Sequence, residues 1–309
     1  MSSEFDLIGL IQSRVRAYGL YEGVVLGIGD DAAVMQPSQG MQLVATADNL
    51  VQGRHFDARA SAVELGHLAL AVNLSDLAAM GAVPRWSLLT LTMPEPDAAW
   101  LEGFLEGYLA LSTQHDCALV GGNITRGPLN IAVTALGEVP EGKWISRAGA
   151  EAGDGIFVTG TLGDAAAGLL TDQPELRQRW LMPTPRIQAG LVLAESAHCM
   201  IDVSDGLLAD LSHLLGGLGA AIQLDDLPTS STLRQQVSDA ADRWPLQLNG
   251  GGDYELLAVL PGDWTAPDRI GNVPLTRVGQ VTHTGRIECI DVNGHCVPFE
   301  AGGWDHFKA

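Results

Sequence analysis

Strand-like and helix-like stretches alternate along both halves of the chain, and that alternation restricts the fold to the α/β or α+β classes. Gln42–Ala47, Ser87–Met93 and Leu129–Leu136 are mostly apolar runs bounded by Gly, Pro or Asp, and they predict strands. Asp97–His115 sets Trp100, Leu101, Phe104, Leu105, Tyr108 and Leu109 on one stripe at helical period, directly after the Pro94/Pro96 break. Ala62–Met80 reads similarly. Between Pro140 and Gly155 the chain turns loop-like, and a new strand begins at Gly155–Thr161. The second half predicts helices near Asp164–Leu170, Arg186–Ala197 and Gly206–Leu218, with strands near Met200–Val203 and Tyr254–Leu260. Residues 1–140 and 141–309 are therefore expected to form two domains, which suits a 309-residue chain at ~150 residues per domain.

Composition removes several classes of function. Apolar residues make up 46% and charged ones 17%, values of a compact chain. No charge-free apolar run approaches the ~18 residues of a membrane helix, and Met1-Ser-Ser-Glu-Phe-Asp lacks the basic and apolar parts of a signal peptide, so a cytoplasmic protein without a membrane partner is expected. A net charge of −20 repels a phosphate backbone and argues against nucleic acid. Of seventeen basic residues only Lys143 and Lys308 are lysines, so phosphate chemistry must rest on metal ions, backbone amides or arginines. The four cysteines show no CxxC spacing and are expected to be buried free thiols.

Two phosphate-binding patterns fail on inspection. Gly137-Glu-Val-Pro-Glu-Gly142-Lys143 begins as a P-loop, yet Trp144 stands where Ser or Thr must meet magnesium, and two carboxylates would face the anion. Gly27-Ile-Gly29-Asp-Asp-Ala32 resembles a dinucleotide fingerprint, but the Pro37–Gly40 break leaves no room for the crossover helix.

What remains is a set of aspartates beside small residues: Gly29-Asp30-Asp31, Thr46-Ala-Asp48, Asn73-Leu-Ser-Asp76, Asp202-Val-Ser-Asp205-Gly and Gly252-Asp253. Each one alone reads as a turn or helix cap. Together they repeat a strand-end pattern too often for capping, and Asn73–Asp76 and Asp202–Asp205 even echo each other. Carboxylates gathered in one cleft need a cation to stay ionised, and magnesium is the hard ion that joins carboxylates to phosphates. The run Val120-Gly-Gly-Asn123-Ile-Thr-Arg126 is either a loop between strands or a set of amides laid along a phosphate chain.

In their order, Ile28-Gly-Asp-Asp31-Ala-Ala-Val, Thr46-Ala-Asp48 with Gly53-Arg-His55-Phe56, Asn73-Leu-Ser-Asp76, Val120-Gly-Gly-Asn123, Asp202-Val-Ser-Asp205-Gly-Leu, Gly251-Gly-Asp253-Tyr-Glu-Leu-Leu and Gly303-Trp304-Asp-His-Phe307 resemble the thiamine-monophosphate kinases. The resemblance runs from about residue 4 to 307, and its Asp-rich motifs are shared with aminoimidazole ribonucleotide synthetase and selenophosphate synthetase. It implies an α+β chain whose N-terminal domains pair into a homodimer across a shared β-barrel, followed by a C-terminal α/β domain. It also implies transfer of the γ-phosphate of ATP to thiamine monophosphate with several magnesium ions. By the same resemblance Asp31, Thr46, Asp48, Asp76, Asn123, Asp202 and Asp205 match metal positions. Gly122, Asn123, Arg147 and Ser204 match ATP positions, and His55, Gly252 and Trp304 match acceptor positions. No general base is expected, because the acceptor is already an anion. Relatives usually carry Glu at the place of Gly252, and Asp253 or Glu255 is the candidate to compensate.

Two rivals stand beside this reading: another ATP-dependent enzyme of the superfamily, and a non-catalytic nucleotide-binding regulator in which Asn123 and Gly252 mark a decayed site. Gly53-Arg-His-Phe and Trp-Asp-His-Phe oppose the first, and retention of the paired aspartates opposes the second.

Overall fold

A computed structural model describes residues 4–19, 21–299 and 302. The chain divides into two compact units. One runs to Leu77 and takes in Ala82–Gly142; the other consists of Ala78–Gly81 and the chain from Lys143 on.

In the first unit α1 (Glu4–Ala17) precedes a two-stranded ribbon of β1 (Val24–Leu26) and β2 (Val34–Met35). It is followed by β3 (Met41–Val51), α2 (Ala62–Ala79), β4 (Val83–Met93), α3 (Ala98–Gln114), β5 (Ala118–Arg126) and β6 (Asn130–Pro140). The three strand-like runs of this half become β3, β4 and β6. The strands lie in the order β3-β6-β4-β5, with β4 and β5 parallel and the other pairs antiparallel. The β1–β2 ribbon is followed directly by β3.

Alternation sorts the sheet into two faces. The row Leu50–Ile131–Leu91–Ile124 is buried, whereas Asn49 and Thr90 in the neighbouring row, with Asn123, are exposed. Among the described residues this sheet is open at β3 and β5, so no barrel closes within one chain.

α3 starts where Asp97 caps it, its carboxylate accepting the Trp100 amide at 3.0 Å, and its apolar stripe is buried. α2 is apolar on nearly every side and buried along most of its length. The two helices cross backbone to backbone. A Cβ on Gly66 would lie 1.9 Å from the Phe104 carbonyl oxygen, and one on Gly107 would lie 2.0 Å from that of Val63, so only glycine permits the crossing.

The second unit contains β7 (Gly155–Thr159), α4 (Asp164–Leu170), α5 (Pro174–Leu181), α6 (Ile187–Leu193), β8 (Cys199–Asp202), α7 (Leu207–Leu215) and β9 (Gly219–Gln223). After them come α8 (Ser231–Gln236), α9 (Ala240–Asn249), β10 (Leu256–Leu260), β11 (Arg269–Ile270), β12 (Val273–Thr282), β13 (Ile287–Ile290) and β14 (Cys296–Val297). Its strands follow the path β14-β13-β9-β12-β7-β10-β8, with β11 paired to β12, and only β9 and β13 run parallel. Antiparallel pairing makes this unit α+β rather than a parallel α/β layer. Its core joins Ile156, Val158, Ile201, Leu211, Leu257 and Val259 from the sheet and α7.

Three expectations change, and a fourth lies beyond what is described. The glycine run at Val120–Arg126 lies inside β5 rather than in a loop. Asn73–Asp76 lies within α2 rather than at a strand end, so its echo with Asp202–Asp205 reflects no shared structure. Cys117, Cys199 and Cys289 are buried free thiols, but Cys296 is exposed. Trp304 lies outside the described residues. No described helix is long and apolar enough to cross a membrane.

Candidate functional site

In the first unit Thr46 and Asp48 share the β3 face of buried Leu50. Thr46 Oγ1 donates to Asp76 Oδ2 at 2.5 Å, and the Asp48 amide donates to Asn73 Oδ1 at 3.2 Å. Asn73 and Asp76 are three residues apart on α2, so one helix face meets both β3 residues. Asp31 is exposed between β1 and β2, its amide held by Asp30 Oδ1 at 2.9 Å, and the Gln12 side chain on α1 donates to the Ile28 carbonyl of the same loop. His55 follows β3 in a tight turn. Its Nδ1 accepts the Val51 amide at 3.0 Å, which places the proton of the neutral ring on Nε2. Gly122 and Asn123 are exposed on β5. Register sets Asn123 one row from Asp48, so alternation puts its side chain on the opposite face from Thr46 and Asp48.

In the second unit Asp202 ends β8 and is buried, while Ser204 and Asp205 occupy the turn into α7. The amides of Ser204, Asp205 and Gly206 all donate to Asp210 Oδ2, at 3.0, 3.1 and 3.2 Å. Burial pushes the Asp210 carboxyl up to about 6. Gly252 adopts a left-handed φ of 83°, and its amide donates to the Ser204 carbonyl at 2.8 Å. The structure thereby joins an expected acceptor position to an expected ATP position. Arg147 is exposed on the segment before β7.

Neither carboxylate beside Gly252 can replace a glutamate there. Asp253 is 1% exposed and accepts from the Gly163 and Ala165 amides at 2.7 and 3.1 Å. Glu255 is fully buried and accepts from Thr159, Arg179 and Arg186. Arg179 and Arg186 went unread in the sequence because their partner Glu255 lies 76 and 69 residues away, and Asp210 also went unread. Only Asp210, five residues after Asp205, carries a local signal, that of a carboxylate in the first turn of a helix.

Burial raises the Asp253 carboxyl from 3.8 to about 7, against the pull of the Gly163 amide and of Arg179. Between those two values the folded state holds a proton that the unfolded chain has released, so this group's contribution to stability falls as pH rises from about 3.8 to about 7 and levels off above. The unfolding temperature should decline between about pH 5 and pH 7, and Asp253→Asn should flatten that decline. Equal slopes in scanning calorimetry for both proteins would refute the assignment.

The expected metal ligands offer oxygen donors alone, from Asp, Thr and Asn, a set that suits a hard cation and not a thiophilic one. Among the described residues no three His, Cys, Asp or Glu side chains stand together as a ready metal site.

Residues 29–139 match the family described as AIR synthase related protein, N-terminal domain. Over 324 residues the chain is 43% identical to the thiamine-monophosphate kinase of Salmonella typhimurium, covering 98% of each protein. The fold superposes on the thiamine-monophosphate kinase of Stenotrophomonas maltophilia with a TM-score of 0.85 and 42% identity, over 93% of this chain and 97% of that one. A solved AaThiL complexed with AMPPCP and TMP superposes with a TM-score of 0.77 and 30% identity, over 98% of this chain and 97% of that one.

Proposed function

The chain belongs to the thiamine-monophosphate kinases, and on that footing we propose how its own residues serve the reaction of that family. The reaction is ATP-dependent phosphorylation of thiamine monophosphate to thiamine diphosphate. The observation that carries it is the full-length likeness to a protein solved with an ATP analogue and TMP together.

The acceptor oxygen is anionic before it reacts, so no side chain need remove a proton from it, and catalysis reduces to alignment and charge neutralisation. In the first unit Asp31, Thr46, Asp48 and Asp76 would hold magnesium; in the second, Asp202 and Asp205 would do so. Asn123 is a metal position by resemblance, although the sheet sets its side chain apart from Thr46 and Asp48. Bound magnesium supplies positive charge that lets two phosphates approach each other. The Gly122 and Asn123 segment, Ser204 and exposed Arg147 would bind ATP. His55, held as an Nε2–H donor, would meet the acceptor together with the Gly252 turn and Trp304. Gly252 leaves space at that turn, since a Cβ there would touch only the Ala165 methyl at 3.6 Å.

The reading includes a homodimer. The exposed face of the first sheet carries Ala45, Ala47, Asn49 and Thr90, and β3 leaves an eleven-residue edge. A second copy covering that face would complete a barrel. Three buried free thiols suit a reducing, cytoplasmic setting.

ADP release, followed by a coupled assay with ATP, magnesium and thiamine monophosphate, tests the reading. Turnover is expected. Nucleotide binding without turnover would point to a regulator, and turnover with a different acceptor alone would point to another enzyme of the superfamily.

A further inference from the structure

The segment from Gly250 to Leu256 holds two left-handed residues, Gly252 at φ 83° and Tyr254 at φ 50°. A tyrosine keeps that conformation only where its surroundings over-determine it. Here they do. Asp253 is tied to the start of α4 through the Gly163 and Ala165 amides. Glu255 is tied to three other elements. Arg179 on α5 reaches its Oε1 at 2.8 Å, Arg186 before α6 grips both oxygens at 2.7 and 2.5 Å, and Thr159 at the end of β7 donates at 2.7 Å. Arg179 also reaches the Asp253 carbonyl at 3.4 Å.

The turn is in addition zipped to the Ser204–Asp205 segment. Gly252 donates to the Ser204 carbonyl, Tyr254 to that of Val203, and Val203 back to that of Glu255, at 2.8, 2.9 and 2.8 Å. Whatever fixes Glu255 therefore fixes both the acceptor turn and the residues assigned to nucleotide and metal. A carboxylate gripped at two points by one guanidinium and at a third by another is held in place far more firmly than a single hydrogen bond would hold it.

We propose that Glu255, clamped by Arg179 and Arg186, is a positioning residue of the phosphotransfer site, holding the Gly252–Tyr254 turn and through it Ser204 and Asp205. The proposal rests on the functional reading above. Glu255→Gln removes the charge from the clamp, and Arg186→Lys keeps the positive charge but loses the two-point grip, so the second serves should the first fail to fold. Hydrogen exchange at the Gly252 and Tyr254 amides should quicken about tenfold or more in either variant, with β7, β8 and β10 unchanged. At temperatures well below unfolding, the KM for thiamine monophosphate should rise about tenfold, more than any change in kcat.

Unchanged exchange at the two amides overturns the proposal. So does faster exchange spread evenly over the sheet, which reports lost structure alone, or local loosening with an unaltered KM. If the wild-type protein turns over no thiamine monophosphate, the functional reading fails, and the positioning role in that reaction fails with it. Exchange at the two amides then separately decides whether the clamp holds the turn.

Discussion

Asp76→Asn should leave the protein folded and lower kcat/KM for phosphate transfer by about a thousandfold, on the order of 4 kcal/mol of lost transition-state stabilisation. Asparagine has the same shape, and its Oδ1 can still accept from Thr46 Oγ1 where Asp76 Oδ2 now does at 2.5 Å. The bond that ties α2 to β3 therefore survives, and stability should stay within about 1 kcal/mol of wild type. What disappears is the one negative charge on the second half of α2. A half-buried carboxylate at this place is suited to meeting a cation during function, and asparagine is not. Thermal unfolding and ADP release measured on the same preparation separate the two roles. If turnover stays within about threefold of wild type while the fold is intact, Asp76 serves only to dock the helix. A loss of activity matched by a large fall in unfolding temperature would assign it to structure instead.

The parts of this fold that could be read in advance are those governed by near neighbours. The boundaries of α3 follow from Asp97 and an apolar stripe at helical period, and α4 occupies the range its pattern gives. Where the reading failed, a distant partner decided the outcome. Gly121 and Gly122 look like a loop because glycine is poor in strands, yet parallel pairing with Leu88 and Leu89 holds them in β5. The helical pattern over Ala62–Met80 was legible and becomes α2. Grouping Asn73-Leu-Ser-Asp76 with strand-end aspartates was not right, since burial on most sides of that helix overrides the preference of Asn, Ser and Asp for caps. Asp253 and Glu255 look like free carboxylates beside Gly252. Each is instead consumed by partners about 70 to 96 residues away in sequence, such as Arg186 and Thr159 for Glu255. Residue types that suit a hard cation were legible. The pairing of Thr46 with Asp76, thirty residues apart, was not.

Gly122→Ala should be the most damaging single methyl in the first unit's sheet, costing about 3 to 5 kcal/mol and lowering the unfolding temperature by roughly 10 °C. Two effects combine there. The residue sits at φ 149°, outside the range L side chains favour, and an added Cβ would lie 1.8 Å from the Leu89 carbonyl oxygen and 2.6 Å from its carbon. Both contacts are backbone, so no rotamer change relieves them, and β5 must part from β4. The row that would move runs Gly122–Leu89–Val133–Asp48, which carries the disturbance across the sheet to a residue assigned to metal. Activity should therefore fall along with stability. Gly142→Ala is the control: its φ of 74° is also left-handed, but nothing lies within 4 Å of the added atom, so it should cost only about 1 kcal/mol. If the two alanine variants unfold at the same temperature, the sheet can yield at Gly122, and close backbone approach is not what requires glycine at that position.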